Sequence, residues 1–313
     1  MIKHLAKSSR WLVCAAAVAR DLRVGWDLRR GRFDTDSGSA HAGFDLNASL
    51  DYIERVYRGY LIRAGCDRFT GTVAEIGPGD NFGVAAMILG HGAERVYAID
   101  RYYSRRDSDQ QARIYRALAA RHGLDALFPG GQATEAIAGL NYLYGQPAET
   151  FFRTAGVSFD AIVSCAVLEH LYDPLGALSD MAAALKPGGV MAHQVDLSDH
   201  GMFPRHPPLT FLTIPRGLYR LMVTHGGRPN RVMAHRYRHW LATSGLRGSI
   251  LVTGLAGGVE PVPALPWDEI PLARRTAALA EVTRLRPALA NEFATVADAD
   301  LAVSAFVMTA RKP

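Results

Sequence analysis

The densest run of titratable side chains is His193-Gln-Val-Asp-Leu-Ser-Asp-His200. Its histidines and aspartates, His193, Asp196, Asp199 and His200, are the types that move a proton near neutral pH. A histidine can take the proton of an attacking hydroxyl, and a neighbouring aspartate can orient the ring and stabilise its charge. His200 is the first candidate base and His193 the second. The bland alternative has Asp199 capping a turn and the His193 ring packed in a core. Two aspartates are few for an oxygen-rich metal site, and the spacing matches no standard ligand motif, so no metal is expected.

A second chemical feature lies upstream, in Glu75-Ile-Gly-Pro-Gly-Asp-Asn-Phe-Gly83. Gly77 and Gly79 let a backbone turn tightly against a ligand. About twenty residues on, Asp100 is an acid suited to ribose hydroxyls. Pro78, Asp80 and Asn81 fill the turn, so this is not a pyrophosphate loop; Asp80 would repel phosphate and suits a cation.

Alternating elements must position these groups. Helices are expected over 48–64, 83–90, 108–122, 174–186 and 272–285, from apolar spacing and helix stops such as Lys186-Pro-Gly-Gly189. Short apolar runs predict strands at 72–76, 95–99, 141–144, 159–164 and 190–195, then at 247–253 and 301–310. Strands alternating with helices predict an α/β fold with a mainly parallel sheet, where ligands sit beyond the carboxyl ends of the strands. Glu75 and Asp100 close the first two strands, and the His193–His200 run closes the fifth.

In that context the sequence resembles the class I S-adenosylmethionine-dependent methyltransferases. Glu75-Ile-Gly-Pro-Gly79 is similar to their first motif, Asp100 to their ribose-binding acid, Phe159–Pro174 to their fourth-strand segment, and Leu185-Lys-Pro-Gly-Gly189 to the turn before their fifth strand. The resemblance covers most of the chain beyond residue 45. It implies a Rossmann-like seven-stranded sheet of order 3-2-1-4-5-7-6, last strand antiparallel, with helices on both faces. It implies S-adenosylmethionine as cofactor and S-adenosylhomocysteine as product. Glu75, Gly77, Gly79 and Asn81 would line the methionine and ribose portion, and Asp100 would take the ribose hydroxyls with Arg101 or Tyr102 beside the adenine. Ser164 and Val167 would lie beneath the cofactor, and His170 would form a wall. The family often has an acid after the third strand; here Gln146 or Glu149 would take its place.

Residues 201–240 read as a lid insertion. Its aromatics and arginines suit an anionic or hydroxyl-rich acceptor, and Arg228, Asn230 and Arg231 are its candidate substrate contacts. The run 193–200 with Asn230-Arg231 also resembles methyltransferases of bacterial glycan assembly. The expected reaction is O-methylation of a small molecule or sugar; transfer to nitrogen or carbon, or a non-catalytic scaffold, are the alternatives.

The chain divides into a basic helical extension and linker at 1–44 and a methyltransferase domain at 45–313. Lys3, Lys7 and Arg10 precede the apolar run Trp11–Ala19, and Arg20, Arg23, Arg29, Arg30 and Arg32 follow. This segment is read first as a helix packed on the domain or on a second subunit, then as an amphipathic helix on a membrane surface, then as an export signal. Asp34–Ala40 is a polar linker. The 313 residues, 49% hydrophobic and 21% charged, describe a globular chain. Cys14, Cys66 and Cys165, an odd set with no CxxC, fit a reducing compartment and hence the cytoplasm, with peripheral membrane contact open. A net charge of +5, spread along the chain, is mild for a dedicated nucleic-acid binder, and no such partner is expected.

Overall fold

The computed structural model describes residues 9–32, 34–35, 38–129, 136–258 and 260–313. Lys3, Lys7 and part of the linker lie outside the described residues. Seven strands form one sheet: β1 (Gly71–Ile76), β2 (Ala93–Asp100), β3 (Leu140–Tyr144), β4 (Phe159–Cys165), β5 (Leu185–Asp196), β6 (Arg247–Leu255) and β7 (Val303–Arg311). Their spatial order is β3-β2-β1-β4-β5-β7-β6. The first five run parallel, and β7 is antiparallel to both β5 and β6. Counted along this sheet, the order is the one implied by the resemblance. A separate two-residue ladder joins Asp34–Thr35 to Tyr103–Ser104.

The longer helices among the described residues, in chain order, are α1 (Arg10–Arg29), α2 (Leu46–Ala64), α3 (Gly83–Gly90), α4 (Ser108–His122), α5 (Ala148–Thr154), α6 (Pro174–Ala184), α7 (Arg216–Val223), α8 (Ala234–Thr243) and α9 (Leu272–Leu285). Their ends follow local chemistry. Asp45 caps α2 by accepting the Ala48 N–H at 2.8 Å, and Gly65 closes it in the left-handed conformation, φ 62°. Asp107 caps α4 in the same way from Gln110.

Parallel strands covered on both faces should be apolar throughout. Val73, Ala74 and Ile76 of β1 are buried, with one core under each face of the sheet. Most boundaries fall within two residues of expectation, and one junction differs more. Helix α6 ends at Ala184 rather than 186, and β5 starts at Leu185. Pro187 cannot continue a helix, and the turn is recruited by the end of β7: Gly188 N–H donates to Lys312 O, and Lys312 N–H to Gly189 O. Helix α8, expected at the end of the lid, packs on the sheet instead, with the Tyr237 ring 5.0 Å from that of Phe306. The lid proper is therefore the stretch between β5 and α8.

Helix α1 is seated on that lid. Asp21, buried, accepts the backbone N–H of His225 and of Gly226 and pairs with His225 Nδ1 at 2.8 Å. Gly25 is needed at this crossing, because a Cβ there would stand 2.8 Å from the His225 ring. Among the described residues no helix is long and apolar enough to cross a membrane.

Candidate active site

A cavity of about 430 Å³ opens at the carboxyl ends of β1, β2 and β4. Its floor is the turn Gly77-Pro78-Gly79-Asp80 with Asp100, Arg101 and Tyr102. Val167, His170 and His200 line it beyond β4 and β5, Gln146 beyond β3, and Gly226 and Gly227 from the lid. Val24, Asp27 and Leu28 of α1 complete the wall. Sequence reasoning missed that last contribution.

The glycines of the turn are required. Gly77 and Gly79 have φ of 70° and 71°. A Cβ on Gly77 would stand 2.5 Å from Val167 Cγ2, and one on Gly79 would stand 2.7 Å from Gly38 O. Asp80 does not point its charge at a ligand as a free anion. Its two carboxylate oxygens accept the N–H groups of His41 and Ala42, which fixes the segment before α2 over the turn.

Asp100 lies at the end of β2, where one carboxylate oxygen accepts the Tyr102 N–H at 3.0 Å. Burial raises its carboxyl to about 6, against the pull of Tyr102, Arg106 and Arg101. Gln146 N–H donates to Asp100 O, so the loop after β3 is held beside this acid. Glu149 is off the wall: it pairs with Arg101 at 2.7 Å and accepts the Tyr172 N–H. The Arg101 guanidinium also lies over the Tyr172 ring, 4.1 Å from its centre.

Several expected contacts are placed elsewhere, each for a definite reason. Glu75 is buried at the end of β1 but does not line the cavity; desolvation raises its carboxyl to about 8, and Oε2 has no partner among the described residues. Asn81 donates to Gln111 at 2.6 Å and accepts the Gly83 N–H, so its amide organises the start of α3. Ser164 and His193 are register partners on β4 and β5, and their side chains share a 2.8 Å hydrogen bond in the core. Burial lowers the His193 imidazole to about 3, and no part of it reaches the cavity. Asp199 caps the next turn, accepting the N–H groups of Gly201 and Phe203.

His200 does reach the cavity, in a left-handed conformation (φ 49°) unusual for a residue with a Cβ. Its Nε2 is 3.6 Å from Asp196 Oδ2 and 3.7 Å from Glu169 Oε1. Its ring meets that of His170 edge-on, 4.7 Å between centres. Burial lowers His170 to about 4, aided by His200. Glu169, to which the sequence reading gave no role, is the most buried acid of the group. Oε1 accepts the Asp196 N–H at 3.1 Å, Oε2 has no partner among the described residues, and desolvation raises its carboxyl to about 8. The Glu-His pair after β4 is the signal that marked it. Glu169, His170 and His200 bring donor atoms within 4.8 Å of one another, so this group, unlike the dispersed His193–His200 set, has the composition to hold a metal ion.

The lid residues also part company. Asn230 donates to Leu168 O and Leu171 O, and its N–H donates to Glu169 O. Arg231 donates to Phe211 O and Ile214 O, pairs with Glu292, and lies over the Tyr219 ring. Both stitch the lid and lie outside the main cavity. With Arg228 they line a second hollow of about 730 Å³, alongside Arg216, Arg220 and Arg236.

A family profile described as a methyltransferase domain matches residues 51–248, which run from α2 to the start of β6 and include β1 through β5 and the whole cavity floor. The chain belongs to this family. Its methyltransferase fold therefore matches the sheet order and the position of the cavity. The ubiquinone biosynthesis O-methyltransferase of Parvibaculum lavamentivorans is 31% identical over 84 residues, 27% of this chain and 33% of that protein. The match thus spans only a third of the relative's length. Among solved structures, the N-methyltransferase NodS of Bradyrhizobium japonicum, in complex with S-adenosyl-L-homocysteine, is 14% identical with a TM-score of 0.39, covering 84% of this chain and 86% of that one. Phosphoethanolamine N-methyltransferase 2 of Haemonchus contortus is 15% identical with a TM-score of 0.43, covering 83% of this chain and 53% of that one.

Proposed function

We propose that this methyltransferase moves a methyl group from S-adenosylmethionine to a hydroxyl oxygen of a small-molecule or glycan acceptor. The observation that carries the reading is one cavity lined both by the Gly77–Gly79 turn with Asp100 and by His200, the latter backed by Glu169 and Asp196. The fit to the cofactor rests on three features. The turn is a cradle that side chains would fill, Asp100 is a buried acid able to accept from a diol, and the volume suits a ligand of this class. Gly77, Gly79, Asp100, Arg101, Gln146, Val167 and His170 would hold it.

Bound there, S-adenosylmethionine supplies a methyl group on a positively charged sulfur that leaves as a neutral thioether. The chain's own task is alignment and proton removal. The site would hold the acceptor hydroxyl in line with that methyl group, and the His200 imidazole would take the hydroxyl proton. Asp196, 3.6 Å from Nε2, stabilises the charge that develops there. The lid and α1 shield the site from water. The name of the curated relative, an O-methyltransferase, supports an oxygen acceptor, and the arginines of the second hollow suit an anionic or sugar-like portion of it.

The test is calorimetric titration of the full chain with S-adenosylmethionine and with NAD, followed by thioether-release assays on a panel of phenols, sugars and amines. Binding of the sulfonium alone and turnover on hydroxyls support the reading. Turnover confined to amines, or retained after loss of His200, overturns the oxygen acceptor and its base.

A further inference from the structure

Helix α1 carries a surface that neither the cavity nor the fold uses. Twenty residues long, it spans about 30 Å. Cys14, Asp21 and Gly25 are buried against the lid. Trp11, Ala15, Ala19, Leu22 and Trp26 recur at spacings of three and four on another face, with Leu12 at its edge, so the stripe covers about 100° of the circumference. It is open to solvent: Trp11 is 51% exposed, Leu12 54%, Leu22 57% and Trp26 45%. Leu221 of α7, the lid helix that packs on α1, is also 57% exposed. Soluble surfaces rarely line up two tryptophans and two leucines without a partner.

The charges around the stripe indicate that partner. Arg10, Arg20, Arg23 and Arg29 lie on this helix and Arg30 caps its end, against two acids. One acid, Asp21, is buried on His225, and the other, Asp27, faces Arg32. The guanidinium of Arg30 lies over the Trp26 ring at 3.4 Å, and that of Arg10 over Trp11 at 4.8 Å. Aromatic rings with arginines at their edges suit the boundary between headgroups and acyl chains. A second copy of the chain laid on this face would set arginine against arginine.

We infer that α1 docks on an anionic lipid surface, with Trp11, Leu22 and Trp26 in the interface and the arginines on the headgroups. Because Val24, Asp27 and Leu28 of the same helix line the cavity, docking holds the cavity wall close to the lipid, where an amphiphilic acceptor would reside. The docking itself does not depend on the methyl-transfer reading.

The experiment is co-sedimentation of the full-length protein with vesicles of phosphatidylcholine alone and of phosphatidylcholine mixed with phosphatidylglycerol, with tryptophan emission as a second readout. The expected result is binding to the mixed vesicles only, with a blue shift, and release by salt. Leu22→Ser with Trp26→Ser, or Arg23→Gln with Arg30→Gln, should each weaken binding about tenfold or more, with far-ultraviolet circular dichroism unchanged because all four positions are exposed. Absence of binding to either vesicle overturns the inference, as does equal binding to both. A dimer in sedimentation equilibrium that Trp26→Ser dissociates assigns the face to a second copy and overturns it too.

Discussion

Glu169 Oε1 stands 3.7 Å from His200 Nε2, a buried carboxyl against the one histidine of the His193–His200 run that reaches the cavity. The same oxygen holds the Asp196 N–H, so Glu169 ties the end of β5 to the turn after β4 and sets the place of His200.

His200→Ala should lower kcat by about a hundredfold or more with little change in the affinity for S-adenosylmethionine, since a positioned base contributes about 10²–10⁴. Glu169→Gln, which keeps the acceptor for Asp196, should give a smaller loss than Glu169→Ala. Steady-state kinetics beside calorimetry separates the two effects. Equal activity of His200→Ala and wild type would remove His200 from the chemistry.

Gly77→Ala places a Cβ 2.5 Å from Val167 Cγ2 at φ 70°. It should weaken cofactor binding at least about tenfold, as expected where neither the backbone nor the neighbour can yield. Val167→Ala in the same chain should restore part of the affinity. The measurement is the dissociation constant of the three proteins.

Asp100→Asn should weaken S-adenosylmethionine binding. In the wild type the affinity should fall as the pH drops from neutrality through about 6, where the buried carboxyl takes up its proton. A pH series of calorimetric titrations checks this, and the variant should lose the dependence.

Glu75 and Glu169 are both raised from 4.5 to about 8. A carboxyl raised on folding binds a proton in the folded chain that the unfolded chain has released. Its contribution is therefore complete below 4.5 and is lost as the pH rises through about 8. His170 and His193, lowered to about 4 and about 3, act in the opposite sense up to 6.5, so stability of the ligand-free protein should decline with pH between about 6.5 and 8. Glu75→Gln should make that decline shallower, as read by denaturant unfolding at several pH values.

Asn230→Ala should act on stability rather than on acceptor affinity. It removes donors to Leu168 O and Leu171 O and an acceptor for Val232 N–H. Leaving such groups unpaired costs about 1–3 kcal/mol, or several degrees of melting temperature. A selective rise in KM for the acceptor, with melting unchanged, would instead support the direct substrate contact expected from the sequence.

The floor of the cavity was legible because it depends on short-range signals, and the order of the sheet was legible only through the family resemblance that those signals carry. A glycine turn after an apolar strand and an acid at the next strand's end are written within thirty residues. His193 was partly legible. It sits two residues from Met191 and two from Val195, on the alternating inward face of β5 that feeds one core, and that period outweighs its chemical type. Asp199 was legible only as a choice between capping and catalysis, since an aspartate before a turn satisfies both patterns. Asn230 and Arg231 were not legible. Their partners at Leu168, Leu171 and Glu292 lie about sixty residues away in either direction, beyond the reach of any periodicity. The contribution of α1 to the cavity was hidden for the same reason.

The clasp between Asp21 and His225 joins residues 204 apart. At a synthesis rate of about 5–20 residues per second, α1 leaves the ribosome roughly 10–40 s before its partner exists. Through that interval the helix carries its two tryptophans with no lid beneath it, while the sheet that forms the cavity floor is already being assembled. The floor is thus built before the wall, and the cavity closes as a late event of synthesis. Until then α1 has no lid to pack on and leaves its exposed stripe free to meet a nearby surface.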